Sequence, residues 1–127
     1  GESFISWADE YFSDETKLNE KIKRKDLWDS FNDYAPEQRR YNTPHGFKSR
    51  IEKYCQWKGY LFNPHLYDPV SGLPMYFEKD GTPKTYDKSG GIEYFIIGTP
   101  DKFEAVAGRT YDNPDDLPFT ENKEKEF

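Results

Sequence analysis

The chain is 127 residues long, 33% charged with a formal net charge of −6, and rich in aromatic residues at 18%. That size allows one domain with a real core and excludes a second sizeable one. No apolar run approaches the roughly 20 residues that span a bilayer, and a single cysteine, Cys55, excludes an internal disulfide framework, so a reducing, cytoplasmic setting is expected.

Phe4, Trp7, Ala8, Tyr11 and Phe12 recur at the helical period and predict a short amphipathic helix over 3–12. Ser13 to Thr16 reads as a turn, and Leu18 to Ile22 as a short extended entry. Leu27, Trp28, Phe31 and Tyr34 then predict a second helix over 24–34, which Pro36 stops. Residues 37–42 are polar and basic and suit the turn of a helix-turn-helix.

The third helix is the most sharply written element. Thr43 fits its N-cap, Pro44 its first position and Gly59 its stop, which predicts a helix over 44–58. Phe47, Ile51, Tyr54 and Cys55 fall on one stripe, leaving Lys48, Ser49, Arg50 and Lys53 to point elsewhere.

After Gly59 the pattern turns to strands. Tyr60-Leu61-Phe62 reads as one, closed by Asn63-Pro64, and Tyr94 to Ile97 as another. Between them, Met75 to Glu78 and Pro83 to Tyr86 flank Asp80-Gly81, a hairpin-turn signal. The expected fold is therefore α+β, a winged helix over residues 1–99: a helix-turn-helix followed by a long β-hairpin wing at about 60–97, with an extra N-terminal helix. Residues 100–127 read as an acidic, partly ordered tail that Phe103, Val106, Tyr111, Leu117 and Phe119 pin to the body.

The acidic balance opposes nucleic-acid binding, but its distribution softens that objection. Acids dominate both ends, whereas within 36–60 Arg39, Arg40, Lys48, Arg50, Lys53 and Lys58 face only Glu37 and Glu52. The expected DNA contacts are Arg50 on a base edge, Lys48, Ser49 and Lys53 on the groove or backbone, His45 at the helix start, and Arg39 and Arg40 as phosphate clamps. Lys84, with Lys79 and Lys88, would act from the wing. Tyr76, Phe77 and Tyr86 are expected to pack in core or sheet, with stacking on unpaired bases as the alternative.

No enzyme site assembles from these residues. His45, Cys55 and His65 lack the number and spacing of a zinc site, and Cys55 lies on the apolar stripe with no basic neighbour to activate it. The acids of Asp115 and Glu121-Asn122-Lys123 imitate a metal-nuclease pattern but have no strand signal around them. Gly90-Gly91 reads as a turn, not a phosphate loop. No catalysis, metal or cofactor is expected of the piece itself.

The run from Trp7 through Tyr11-Phe12, Leu18-Asn19, Arg24-Lys25-Asp26-Leu27, Phe47-Lys48, Tyr54-Cys55 and Gly59-Tyr60 to Phe62-Asn63-Pro64 resembles the C-terminal winged-helix-like region of primase-helicase and virulence-associated E type replication proteins of Bacteroides-like mobile elements and phages. The resemblance covers residues 4–64 and implies a domain that holds DNA beside an ATP-dependent motor, excised here from its parent, as Gly1 in place of an initiator Met also suggests. No Walker motif is present, so ATP hydrolysis does not carry over. The expected partners are DNA, duplex or single-stranded, and the parent's helicase domain, with no membrane. The alternative is a protein-interaction module docking a helicase or replication partner; an acidic mimic of DNA fits less well, because Lys123 and Lys125 interrupt the tail acids.

Overall fold

In the computed structural model, residues 2–112 are described, with side chains through residue 108. Tyr111, Leu117, Phe119 and the Asp115 to Lys123 pattern fall outside the described side chains.

Three helices build the core. α1 (Glu2–Phe12) buries Phe4, Trp7, Ala8 and Phe12, α2 (Arg24–Tyr34) buries Leu27 and Phe31, and α3 (Pro44–Lys58) buries Phe47, Ile51, Tyr54 and Cys55. These rings interlock: Phe4 lies 5.4 Å from Phe31 and 6.0 Å from Phe47 between centroids, and Trp7 lies 5.4 Å from Phe31. Each such pair contributes about 0.5–1.5 kcal/mol beyond its buried area. Polar contacts also tie these elements together, among them Trp7 Nε1, which donates to Ser30 Oγ at 3.0 Å. The Tyr54 hydroxyl donates to Asp9 at 2.7 Å, and Asn42 Nδ2 donates to Asn32 Oδ1 at 3.2 Å in a buried bond between α2 and the turn before α3. That turn is a 3₁₀ helix, Pro36–Tyr41.

The strands are short and antiparallel. β1 (Ile22–Lys23), β3 (Asp87–Ser89) and β4 (Ile92–Phe95) form one sheet in the order β1-β4-β3, while β2 (Leu61–Phe62) pairs with β5 (Ile97–Gly98). Ile22 stands opposite Phe95 and Asp87 opposite Tyr94. The fold is thus α+β, with two small antiparallel sheets laid against a three-helix core.

The hairpin differs from its sequence reading. The paired strands turn at Gly90-Gly91, both with positive φ (57° and 80°), a conformation that two-residue hairpin turns require and glycine adopts without strain. Around Asp80-Gly81 the chain also reverses as the sequence suggests: Glu78 donates its amide to the Thr82 carbonyl at 2.7 Å and Lys84 to the Tyr76 carbonyl at 2.8 Å, on either side of an isolated Phe77–Pro83 bridge. Asp80 accepts the Thr82 amide at 3.0 Å inside that turn, and Pro83, which has no ladder donor, keeps the pairing from growing into named strands.

Two asparagines in left-handed conformation fasten β4 and β5. Asn63 (φ 52°) donates its amide to the Ile96 carbonyl at 2.8 Å and accepts the Ile96 amide on Oδ1 at 2.9 Å. Asn19 (φ 64°) donates its amide to the Ile97 carbonyl at 2.8 Å and accepts the Thr99 amide at 2.9 Å. Gly98 between them has no room for a side chain, since a Cβ would stand 2.6 Å from Pro64. Beyond residue 99, α4 (Glu104–Asp112) brings Val106 and Ala107 onto Leu61, so the region read as a tail begins with a packed helix.

Candidate functional site

The geometry of α3 follows from its ends. Thr43 Oγ1 accepts the Gly46 amide at 3.0 Å, Pro44 occupies the first turn, and Gly59 closes the helix in the left-handed conformation. With Phe47 and Ile51 fixed in the core, the period of 3.6 residues sends Ser49 and Lys53 to the far side and Lys48 sideways toward the sheet. The described residues divide the expected DNA contacts accordingly.

Arg39 and Arg40 are exposed on the 3₁₀ turn, with Arg40 4.8 Å over the ring of Tyr41. His45 and Lys53 are exposed, and Ser49 and Arg50 are half-buried. Among the described residues Arg39, His45, Arg50 and Lys53 enter no ion pair. Lys48 does. Its Nζ lies 3.4 Å from Glu93 on β4, and Glu93 also meets Arg24 at 3.4 Å.

Lys48 and Lys84 converge. Both ammonium groups lie against Tyr86, at 5.8 and 5.7 Å from its ring centroid, so α3 and the segment leading into β3 share one aromatic contact. The nearby Glu78 carboxylate raises the Tyr86 pKa above the ordinary phenol value. Arg39 and Arg40 share no ring or ion-pair partner with the α3 cations among the described residues.

Tyr76 and Phe77 depart from the expected core packing: they are 52% and 51% exposed. The loop that carries them is held by the isolated bridges Tyr67–Pro74 and Phe77–Pro83 and belongs to no named strand.

Sequence reasoning missed a polar cluster beside this region. His65, from the 3₁₀ turn Pro64–Leu66, meets Asp87 at 2.7 Å, and Lys21 meets the same carboxylate oxygen at 3.2 Å. Burial pushes the Asp87 carboxyl up, but hydrogen bonds from His65 and Lys21 outweigh it and leave the group below its ordinary value. Twenty-two positions separate His65 from Asp87, and only the β1-β4-β3 order brings Lys21 near both; no local spacing could have announced them. Glu93 was missed for the same reason.

Cys55 is 1% exposed, and burial raises its thiol pKa far above the ordinary value, which keeps it protonated and inert. The described residues hold no cluster of three or more His, Cys, Asp or Glu able to bind a metal, and no described helix is long and apolar enough to cross a membrane. No protein-family model, no curated protein and no solved structure matches the chain.

Proposed function

We propose that this chain is a non-catalytic DNA-binding domain of winged-helix design, belonging to a DNA replication protein of the primase-helicase kind. The observation that carries the reading is topological. Helix, strand, helix, helix and then a β-hairpin whose second strand pairs with the first strand of the chain, in the order β1-β4-β3, is an order that supports a winged-helix reading. Residues 60–86, including β2, are an insertion between α3 and the hairpin.

In such a fold the outer face of α3 enters a groove, with phosphate contacts setting register and base contacts setting sequence. Arg50 and Lys53, with His45 and Ser49, supply that face. The meeting of Lys48 and Lys84 on Tyr86 supports a single surface shared by helix and wing. Arg39 and Arg40 would reach the flanking backbone.

A duplex titration at rising salt tests this. Binding at low salt tighter than about 100 μM, weakening on a log–log plot by about 0.9 per phosphate neutralised, is expected. The double variant Arg50→Ala/Lys53→Ala should weaken binding by roughly tenfold or more and flatten the slope by about 2.

A second reading has its own observation. Val70, Leu73, Met75, Tyr76 and Phe77 are all exposed within one loop, Val70 at 88%, as a protein-docking surface would be. Binding that ignores salt, or none to either DNA form, would transfer the function to a protein partner such as the parent's helicase domain.

A further inference from the structure

A cleft of about 240 Å³ opens between the turn at His65 and the edge of β3, walled by Lys21, His65, Tyr76, Lys84, Asp87 and Lys88. Its charges are not equivalent. Asp87 is engaged by Lys21 and His65 within the wall, so that carboxylate is already answered. Glu78 lies close enough to Tyr86 to raise the pKa of its hydroxyl, and Glu78 Oε1 is buried without a hydrogen-bond partner. Lys84 and Lys88 enter no ion pair among the described residues, which leaves two ammonium groups for an anion from outside.

Beside them is an aromatic ring. The Lys84 amide donates to the Tyr76 carbonyl at 2.8 Å, so the backbone holds side by side an exposed tyrosine and a lysine whose ammonium group rests on Tyr86 without a carboxylate partner among the described residues. A π-face next to paired ammonium groups suits a base joined to a phosphate. The volume falls below the roughly 300–1,000 Å³ of sites for drug-sized ligands, which limits the occupant to one nucleotide unit.

We propose that this cleft is a subsite for a single nucleotide bearing a phosphate monoester, its phosphate on Lys84 and Lys88 and its base against Tyr76. It deepens the DNA-binding reading and rests on it for the strand-end source, because a terminal phosphate of a DNA strand held near α3 is the ligand this chemistry selects. A free mononucleotide presents the same groups.

The test titrates the intact chain with a five-nucleotide thymidine strand, 5′-phosphorylated or 5′-hydroxyl, with thymidine 5′-monophosphate, and with the duplex above. The phosphorylated strand should bind at least fivefold more tightly than the hydroxyl strand. Tyr76→Ala should cost it about tenfold while leaving duplex affinity unchanged, and Lys88→Ala should erase the phosphate preference. Thymidine monophosphate binding as tightly as the phosphorylated strand would uphold the subsite and assign it to free nucleotides. Equal affinity of the two strands within twofold, with no binding of the monophosphate, overturns the proposal even if duplex binding is intact; loss of duplex binding with the phosphate preference retained overturns only the α3 reading.

Discussion

The helical half of the molecule and its strand half are held by different physics. In α1, α2 and α3 the stabilising residues are aromatic and aliphatic, recur at the helix period and share one buried cluster. From residue 60 to 99 the strands are two to four residues long; Phe95 and Ile97 reach that same cluster, and polar side chains fasten the rest: Asn63 on Ile96, Asn19 on Thr99, Asp87 on His65 and Lys21. Burial is distributed over many contacts, whereas each of these fastenings rests on two bonds. The first half should therefore fail globally and the second locally.

Removing a central ring is the severest test of the first half. Phe47 is fully buried, with Trp28, Phe31 and Phe4 around it at centroid distances of 5.6, 6.1 and 6.0 Å. Phe47→Ala should cost about 3–5 kcal/mol, measured as a fall in the urea midpoint seen equally by far-UV circular dichroism and tryptophan fluorescence. Probes that separate would break the claim that the helical half is one cooperative unit.

Asn63→Ala acts on the other side of the comparison. It orphans the Ile96 amide in a buried setting and should cost about 1–3 kcal/mol. Hydrogen exchange should rise at Ile96 and at the β2–β5 pairs while amides in the middle of α3 keep their protection. A uniform loss of protection would mean that the strand half is no less cooperative than the helices.

The same difference explains what could be read from sequence. Helix ends at Thr43, Pro44 and Gly59, the period of Phe47, Ile51 and Tyr54, and the stop at Pro36 are local signals, and α2 and α3 follow them residue for residue. Asn19 and Asn63 had no such signal, because their partners lie 80 and 33 positions away. At the candidate site, the exposure of Lys53 was legible from the wheel, while Ser49 and Arg50 are half-buried. The pairing of Lys48 with Glu93 was not, since it depends on which edge of α3 the sheet covers.

A smaller effect belongs to Asp87. Its carboxyl is held below the ordinary value, so the stabilisation is present above that value and is lost as pH falls through and below it. Asp87→Asn should lower the unfolding midpoint at pH 6 by the equivalent of at most about 1 kcal/mol, and the gap from wild type should close as the pH approaches 3. A gap that stays constant with pH would assign Asp87 a packing role instead of an ionic one.

The smallest expected effect separates the paired from the unpaired cations of α3. Glu93 stands between Lys48 and Arg24, all three less than a third exposed, so solvent screens them incompletely, and on the proposed DNA-binding reading Lys48 already has a partner in the free chain. To contact a phosphate it must first leave Glu93, and that cost offsets most of what the new contact contributes; Arg50 and Lys53 carry no such cost. Glu93→Gln removes the competing charge. Duplex affinity should then rise two- to fivefold, under about 1 kcal/mol, and the salt slope should steepen by about 0.9 as one more phosphate is neutralised. Lys48→Ala alone should change binding little, and in the Glu93→Gln background it should cancel the gain, which a double-mutant cycle reads directly. If Glu93→Gln instead weakens binding, Glu93 is holding Lys48 in its DNA-bound position, and the division of α3 into an engaged edge and a free face does not stand.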